Sequence, residues 1–250
     1  MTIASIQTAL ARISQSPDPE SLWALLRSYL TDLGAEQLCY HHYNPLGAAK
    51  LAPGGGPTMI HEGFPQSWVD EYVDCRYVRF DPIVEMALRS GAPFSWHTIG
   101  QLTDLSEQQQ KLLVARRQAG LSNGVALGLF GPNLRNGYAS LGFAPNKLPS
   151  QTGLQELQLI LQAAHLKFCN QTQTPNGQDL HLAAREQEVL EWIACGKSTA
   201  SIAQIMGVSR HTVDTLTRRI FSKLDVTDRT SAVLTGIASG FLRTGTQLVA

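Results

Sequence analysis

The chain has no apolar run approaching the roughly eighteen residues of a membrane span. Its first fifteen residues, MTIASIQTALARISQ, lack the charged start and unbroken apolar stretch of a signal peptide. These two absences lead us to expect a cytoplasmic protein with no membrane partner. Cysteine is scarce: Cys39, Cys75, Cys169 and Cys195 are far apart and form no C-x-x-C pair. That spacing argues against a disulfide frame or a zinc site and for reduced thiols. Excess charge of either sign is also missing, since 20 basic residues balance 20 acidic ones. Catalytic signatures are missing too. There is no G-x-S-x-G elbow, and the glycines 54–56 are followed by no lysine, so no phosphate loop forms. A hydrolase built from Asp81 with His41, His42 or His61 would lack these elements. We expect no enzyme, no metal and no cofactor.

What is present is ample core material. Of 250 residues, 43% are hydrophobic and only 16% charged, enough for two globular domains. The polar stretch QTQTPNGQDLH, 171–181, reads as a linker between a domain at 1–170 and one at 182–250. In the first, Asp18-Pro19 offers a helix N-cap followed by proline, and leucines follow at helical spacing. Strand patterns occupy 37–43, 125–130 and 138–143. Ser106 with Gln109, and Thr152 with Gln155, have the form of capping boxes for helices running to about 119 and 170. The second of these has Leu154, Leu157, Ile160, Leu161, Ala164 and Phe168 on one broad side. The first domain is therefore a sheet with helices packed on it.

After the linker, four helices fit at roughly 183–195, 199–206, 209–224 and 229–239. Gly196 and Gly207 stand where the first two end, and Ser209 can cap the third. Ile202, Met206, Val208, Val213 and Leu216 are apolar where a helix-turn-helix buries its side chains. Ala203 is small where its helices approach, and Gly207 can take the positive φ of the turn. The third helix, SRHTVDTLTRRIFSKL, carries a local charge of +3 in a neutral protein. Such a confined basic footprint suits a helix lying in the major groove of DNA.

These residues carry a resemblance. From Ala183 to Val233 the sequence resembles the LuxR-type helix-turn-helix, with Glu186, Leu190 and Gly196 at the family spacing and GKS, TV and KLDV matching. Ala183 stands where that family has a threonine cap, and Leu216 where a histidine is frequent. The resemblance implies DNA contacts from Lys197, Arg210, His211, Thr212, Asp214, Thr215, Arg218, Arg219 and Lys223. Asp214 could accept from cytosine, so the operator need not be a familiar one.

The first domain has no acidic pair and phospho-acceptor of a receiver. FPQSWVDEYVDCRYVRFDPIVEMALRSGAPFSW instead resembles the acyl-homoserine-lactone-binding domain of quorum-sensing regulators, with Trp68, Tyr72, Asp81, Pro82, Trp96 and Gly124 as its spaced set. The resemblance implies an α+β protein, an α/β/α sandwich with an antiparallel sheet followed by an all-α four-helix domain. It assigns the Trp68 indole N–H to the lactone carbonyl and the Asp81 carboxylate to the amide N–H. Tyr72 and Ser140 serve the amide carbonyl, and Trp96 forms an apolar wall. Phe64 stands where a tyrosine hydroxyl is common. Asp81-Pro82 also has the plain form of a helix N-cap. The function implied is a quorum-sensing transcription regulator that binds an N-acyl-homoserine lactone and, as a homodimer through helix 152–170, a palindromic operator, with RNA polymerase as a further partner. A second reading keeps the DNA and replaces the lactone by another small-molecule signal.

Overall fold

A computed structural model describes residues 3–43, 58–172 and 181–242, in two compact units divided after Thr172. The glycines 54–56 and residues 173–180 of the expected linker lie outside the described residues. The first unit contains α1 (Ile3–Gln15), α2 (Pro19–Asp32), β1 (Ala35–His42), β2 (Thr58–Glu62), α3 (Gln66–Asp74) and α4 (Pro82–Ser90). It continues with β3 (Phe94–Ser95), α5 (Ile99–Leu102), α6 (Glu107–Gln118), β4 (Gly124–Leu129), β5 (Gly137–Phe143) and α7 (Gln151–Gln171). The strands pair antiparallel in the order β2-β1-β5-β4-β3.

Alternation along the strands divides the unit into three layers. Leu38, Val125, Leu127, Leu129, Ala139, Leu141 and Phe143 point to one face and join a core with Leu22, Leu26 and Leu30 of α2 and Leu157, Ile160, Leu161 and Ala164 of α7. Each fully buried leucine or isoleucine there contributes about 1.5–3 kcal/mol. Their neighbours Ala126 and Tyr138 point to the other face, where they meet Trp68 of α3, Ile83 and Ala87 of α4, and Leu112 of α6. That face carries the candidate site.

The helix starts follow the sequence closely. Asp18 Oδ1 accepts from the Ser21 N–H at 2.7 Å. Ser106 and Gln109 form the reciprocal box, at 3.3 and 3.0 Å. The last helix departs from expectation. Its cap is Ser150, which accepts from the Gly153 N–H at 3.2 Å, and Thr152 lies inside the first turn. The helix gains two residues at its start.

The second unit is all-α: α8 (Ala184–Ala194), α9 (Thr199–Met206), α10 (Arg210–Leu224) and α11 (Arg229–Ala238). Val189, Leu190, Ile202, Ala203, Val213, Ile220, Leu224 and Ala232 form its buried core, with Met206, Val208 and Leu216 packed against it. Gly207 ends α9 at φ 65°, the left-handed conformation that an L side chain resists. Ser209 caps α10 through the Thr212 N–H at 3.1 Å.

Successive histidines on β1 serve both faces of the first unit. His42 is buried edge-on to Phe168, with ring centroids 5.2 Å apart, and its Nε2 has no hydrogen-bond partner among the described residues. Burial first, then the charges of Arg135 and His165, lower its pKa from 6.5 to about 4. The unfolded chain therefore takes up a proton that the fold refuses. The stability contributed by neutral His42 is complete above about pH 6.5 and is lost as pH falls through about 4. We expect His42→Leu to flatten the decline in melting temperature between pH 7 and pH 4.5 relative to wild type. Parallel curves for the two proteins would show that His42 does not carry this pH dependence.

Candidate functional site

The site begins with strand register. β1 and β5 place Cys39 opposite Ser140 and His41 opposite Tyr138, so four side chains share one patch of the sheet. Trp68 and Tyr72, four residues apart, lie on the same side of α3. Their rings meet at 5.7 Å. Asp81 precedes α4, Arg116 comes from α6, and Phe64 from the turn before α3. Together with Met59, His61, Val69 and Val73 these residues line a cavity of about 350 Å³. A second cavity, about 250 Å³, lies across the sheet among Leu22, Leu26, Leu129, Leu141 and Leu161. Its Tyr40 and His165 already bond each other at 2.8 Å, so the first cavity is the one equipped for a polar ligand.

Asp81 organises that cavity. One carboxylate oxygen accepts from the Ile83 N–H at 2.9 Å, which caps α4. The other accepts from the Tyr72 hydroxyl at 3.0 Å. Burial, and then the charge of Asp81, raises the pKa of Tyr72, so its hydroxyl stays protonated and donates. Trp68 is only 6% exposed, and no described residue accepts from its indole N–H. Ser140 accepts from the Trp96 indole at 3.1 Å. Burial, then His61, lowers the pKa of His41 to about 4, so this cavity histidine is neutral near pH 7. The lining thus offers a donor-only indole and an acceptor-only carboxylate, the pair that an amide-bearing carbonyl compound needs.

In the second unit, Arg210, His211, Thr212, Asp214, Arg218 and Arg219 are exposed along α10, Thr215 is half-buried, and Lys197 is exposed in the turn before α9. Lys223, near the end of α10, is exposed as well but has an acidic partner. Its ammonium donates to Glu186 at 2.6 Å and to the His181 carbonyl at 3.1 Å. Glu186 is buried and also accepts from the Ala183 N–H at 2.8 Å, keeping one half of the capping box. Burial pushes its carboxyl upward, but the bonds from Lys223 and Ala183 outweigh it and hold the pKa below its ordinary value.

The autoinducer binding domain pattern matches residues 18–168, and the pattern of the luxR family of bacterial regulatory proteins matches 180–235. The chain belongs to the LuxR family of transcription regulators. It is 27% identical to the transcriptional activator protein AnoR of Acinetobacter nosocomialis, across 89% of this chain and 92% of that one. It is also 27% identical to the regulatory protein SdiA of Escherichia coli, across 84% and 88%. A crystal structure of SdiA shares the fold with a TM-score of 0.70 at 23% identity, covering 95% of this chain and 98% of that one. The first matched segment contains every cavity residue, and the second contains Glu186, Lys223 and the exposed face of α10. The family is one of regulators and not of enzymes.

Of the cavity residues expected for this LuxR-type regulator, Phe64, Trp68, Tyr72, Asp81 and Ser140 come together. Trp96 does not line the cavity. It lies one layer back, with the Arg116 guanidinium 3.6 Å over its ring and its edge against Gly124, where a Cβ would come within 2.5 Å of it. Trp96 borders a smaller cleft with Ile83 and Ile99. Arg116 was not anticipated, although its signal was legible: it follows Leu112 by four residues on the buried stripe of α6, a charge in an apolar position. Cys39, His41 and Tyr138 were also missed, and alternation with Ser140 along the paired strands would have found them. We propose that Lys223 braces Glu186 rather than DNA, because its ammonium is engaged there. We expect Lys223→Met to cost about 1–3 kcal/mol of stability in the second unit, since it strips a buried carboxylate of its cationic partner. Affinity for random DNA should keep its wild-type salt slope. Unchanged stability with a salt slope reduced by about one unit would return Lys223 to the phosphate backbone.

Proposed function

We propose that this regulator takes an N-acyl-homoserine lactone into the 350 Å³ cavity and, as a cytoplasmic homodimer, binds a palindromic operator where it engages RNA polymerase. The carrying observation is the convergence of Trp68 and Asp81 on one cavity. The indole offers an N–H that no described residue accepts, and the anchored carboxylate accepts only. A lactone carbonyl and an amide N–H are complementary to that pair, and leaving either side unmet costs about 1–3 kcal/mol. The Tyr72 hydroxyl, held by Asp81 in this structure, lies beside the pair for the amide carbonyl. The apolar rim of Val69, Val73 and Met59 suits an acyl chain.

Dimerisation is supported by the outer side of α7. Leu159 and Leu166, seven residues apart, are 59% and 42% exposed. One recognition helix reads too few base pairs for useful specificity, so two copies are needed. Arg210, Asp214 and Arg218 succeed one another at four-residue intervals along exposed α10, the spacing that reaches base edges from a helix in the groove. A different small-molecule signal is a second reading that Phe64 favours, since no hydroxyl stands at its place in the cavity lining. SdiA has itself been solved in complex with octanoyl-rac-glycerol.

The test is a ligand-response assay with two variants. Trp68→Phe keeps ring bulk and removes the donor, and should weaken the response about five- to thirtyfold. Asp81→Ala removes the amide acceptor and should abolish it. Wild-type half-maximal concentrations in both would contradict the site. Response to a non-lactone signal alone would retain the site and replace the ligand.

A further inference from the structure

Arg116 is an unusual wall for a cavity that takes a neutral lactone. Its guanidinium is permanently charged, and the residue is only 6% exposed. The Asp81 carboxylate, whose charge acts on it, lines the 350 Å³ cavity, as do the neutral Tyr138, Tyr72 and Cys39. Its sole described side-chain contact of note is the face of Trp96 at 3.6 Å. A ring face stabilises a cation but takes up none of its N–H groups. Among the described residues none accepts a hydrogen bond from the guanidinium, and it belongs to no ion pair. The Asp81 carboxylate does not fill the role: among the described residues it accepts from Tyr72 and the Ile83 N–H and not from Arg116. The cavity therefore carries a buried cation and a buried anion that are not paired with each other. Burying a charge without a partner is costly, so both await groups on the occupant.

We propose that the cavity accepts N-acyl amino acids in their carboxylate form, the ring-opened N-acyl-homoserine among them, and that Arg116 is the residue that selects the carboxylate. This rests on the reading of the cavity as a receptor for N-acyl amides. In an N-acyl amino acid the amide N–H and the carboxylate hang from the same carbon, so donor and anion reach two neighbouring walls at once. Asp81 takes the N–H. The planar fork of Arg116 matches a carboxylate with two parallel hydrogen bonds, whereas a lactone carbonyl presents one oxygen. Trp96 holds the fork flat against its ring, and Gly124 and Ser140 hold Trp96.

The test compares matched pairs of ligands on the full-length protein: N-acyl-L-homoserine lactones from butanoyl to dodecanoyl, each against its ring-opened N-acyl-L-homoserine. Binding is measured by calorimetry at mildly acidic pH, where the lactone stays closed and the carboxylate stays ionised. The wild type should bind the opened ligand at least as tightly as the lactone of equal chain length. Arg116→Leu should shift the ratio of the two affinities about ten- to a hundredfold toward the lactone. Arg116→Lys, which keeps the charge without the fork, should fall between. A ratio taken at one chain length is insensitive to general loosening of the fold, and Arg116→Lys serves if the leucine variant does not fold. Lactone binding with no opened-ligand binding, or a ratio unmoved by either variant, overturns the inference and leaves the proposed function standing. Binding of neither class overturns both.

Discussion

The cavity depends on the two bonds that Asp81 makes. Through the Ile83 N–H it starts α4, and through the Tyr72 hydroxyl it ties that start to α3. A cap of this kind is worth about 0.5–2 kcal/mol as a helix start. Here it also fixes the distance between two helices that cover the same side of the sheet. Trp68, one turn before Tyr72, is positioned by the same tie, and its rings pack on Tyr72 and Tyr77. Both bonds fall on oxygens that retain lone pairs, so the carboxylate that builds the wall still faces the cavity as an acceptor. The plain reading of Asp81-Pro82 as a helix start and the reading of Asp81 as a ligand acceptor are both satisfied by one side chain.

Elsewhere on the same lining the charge changes sign. Arg116 rests on Trp96, Trp96 rests on Gly124 and donates to Ser140, and Ser140 returns to the cavity through β5. This stack explains why a tryptophan that never borders the cavity still matters to it: it gives the guanidinium a surface and fixes where its N–H groups can point. In the second unit an ion pair plays a comparable part. Glu186 and Lys223 join the start of α8 to the end of α10, so among the basic residues of α10 Lys223 braces a buried carboxylate.

Much of this architecture was legible in the sequence because its signals are local. Asp18, Ser106 with Gln109, Ser209 and Gly207 each act within one turn of their own position, and each stands where the pattern put it. The long strands declared themselves by composition. The two-residue β3 and the five-residue β2 could not, because so few residues show no alternation. Long-range placement was the harder part. Family spacing gave Trp96 a residue type but not a layer, and only the packing of Arg116 above it shows that it stands behind the lining. Lys223 looked like its basic neighbours until its partner, 37 residues away, was known. Arg116 went unnoticed because a single arginine on a helix ordinarily means solvent, and only the phase set by the Ser106 cap turns it inward.

The central claim, that a small amide signal sits between the sheet and α3, α4 and α6, is tested most directly by hydrogen exchange of the full-length protein with and without a saturating N-acyl-homoserine lactone. The account expects exchange to slow in 64–90, in 112–118 and along β5, with α1 and the outer side of α7 unchanged. Protection confined to α2 and α7, around the apolar cavity on the opposite face of the sheet, would contradict it.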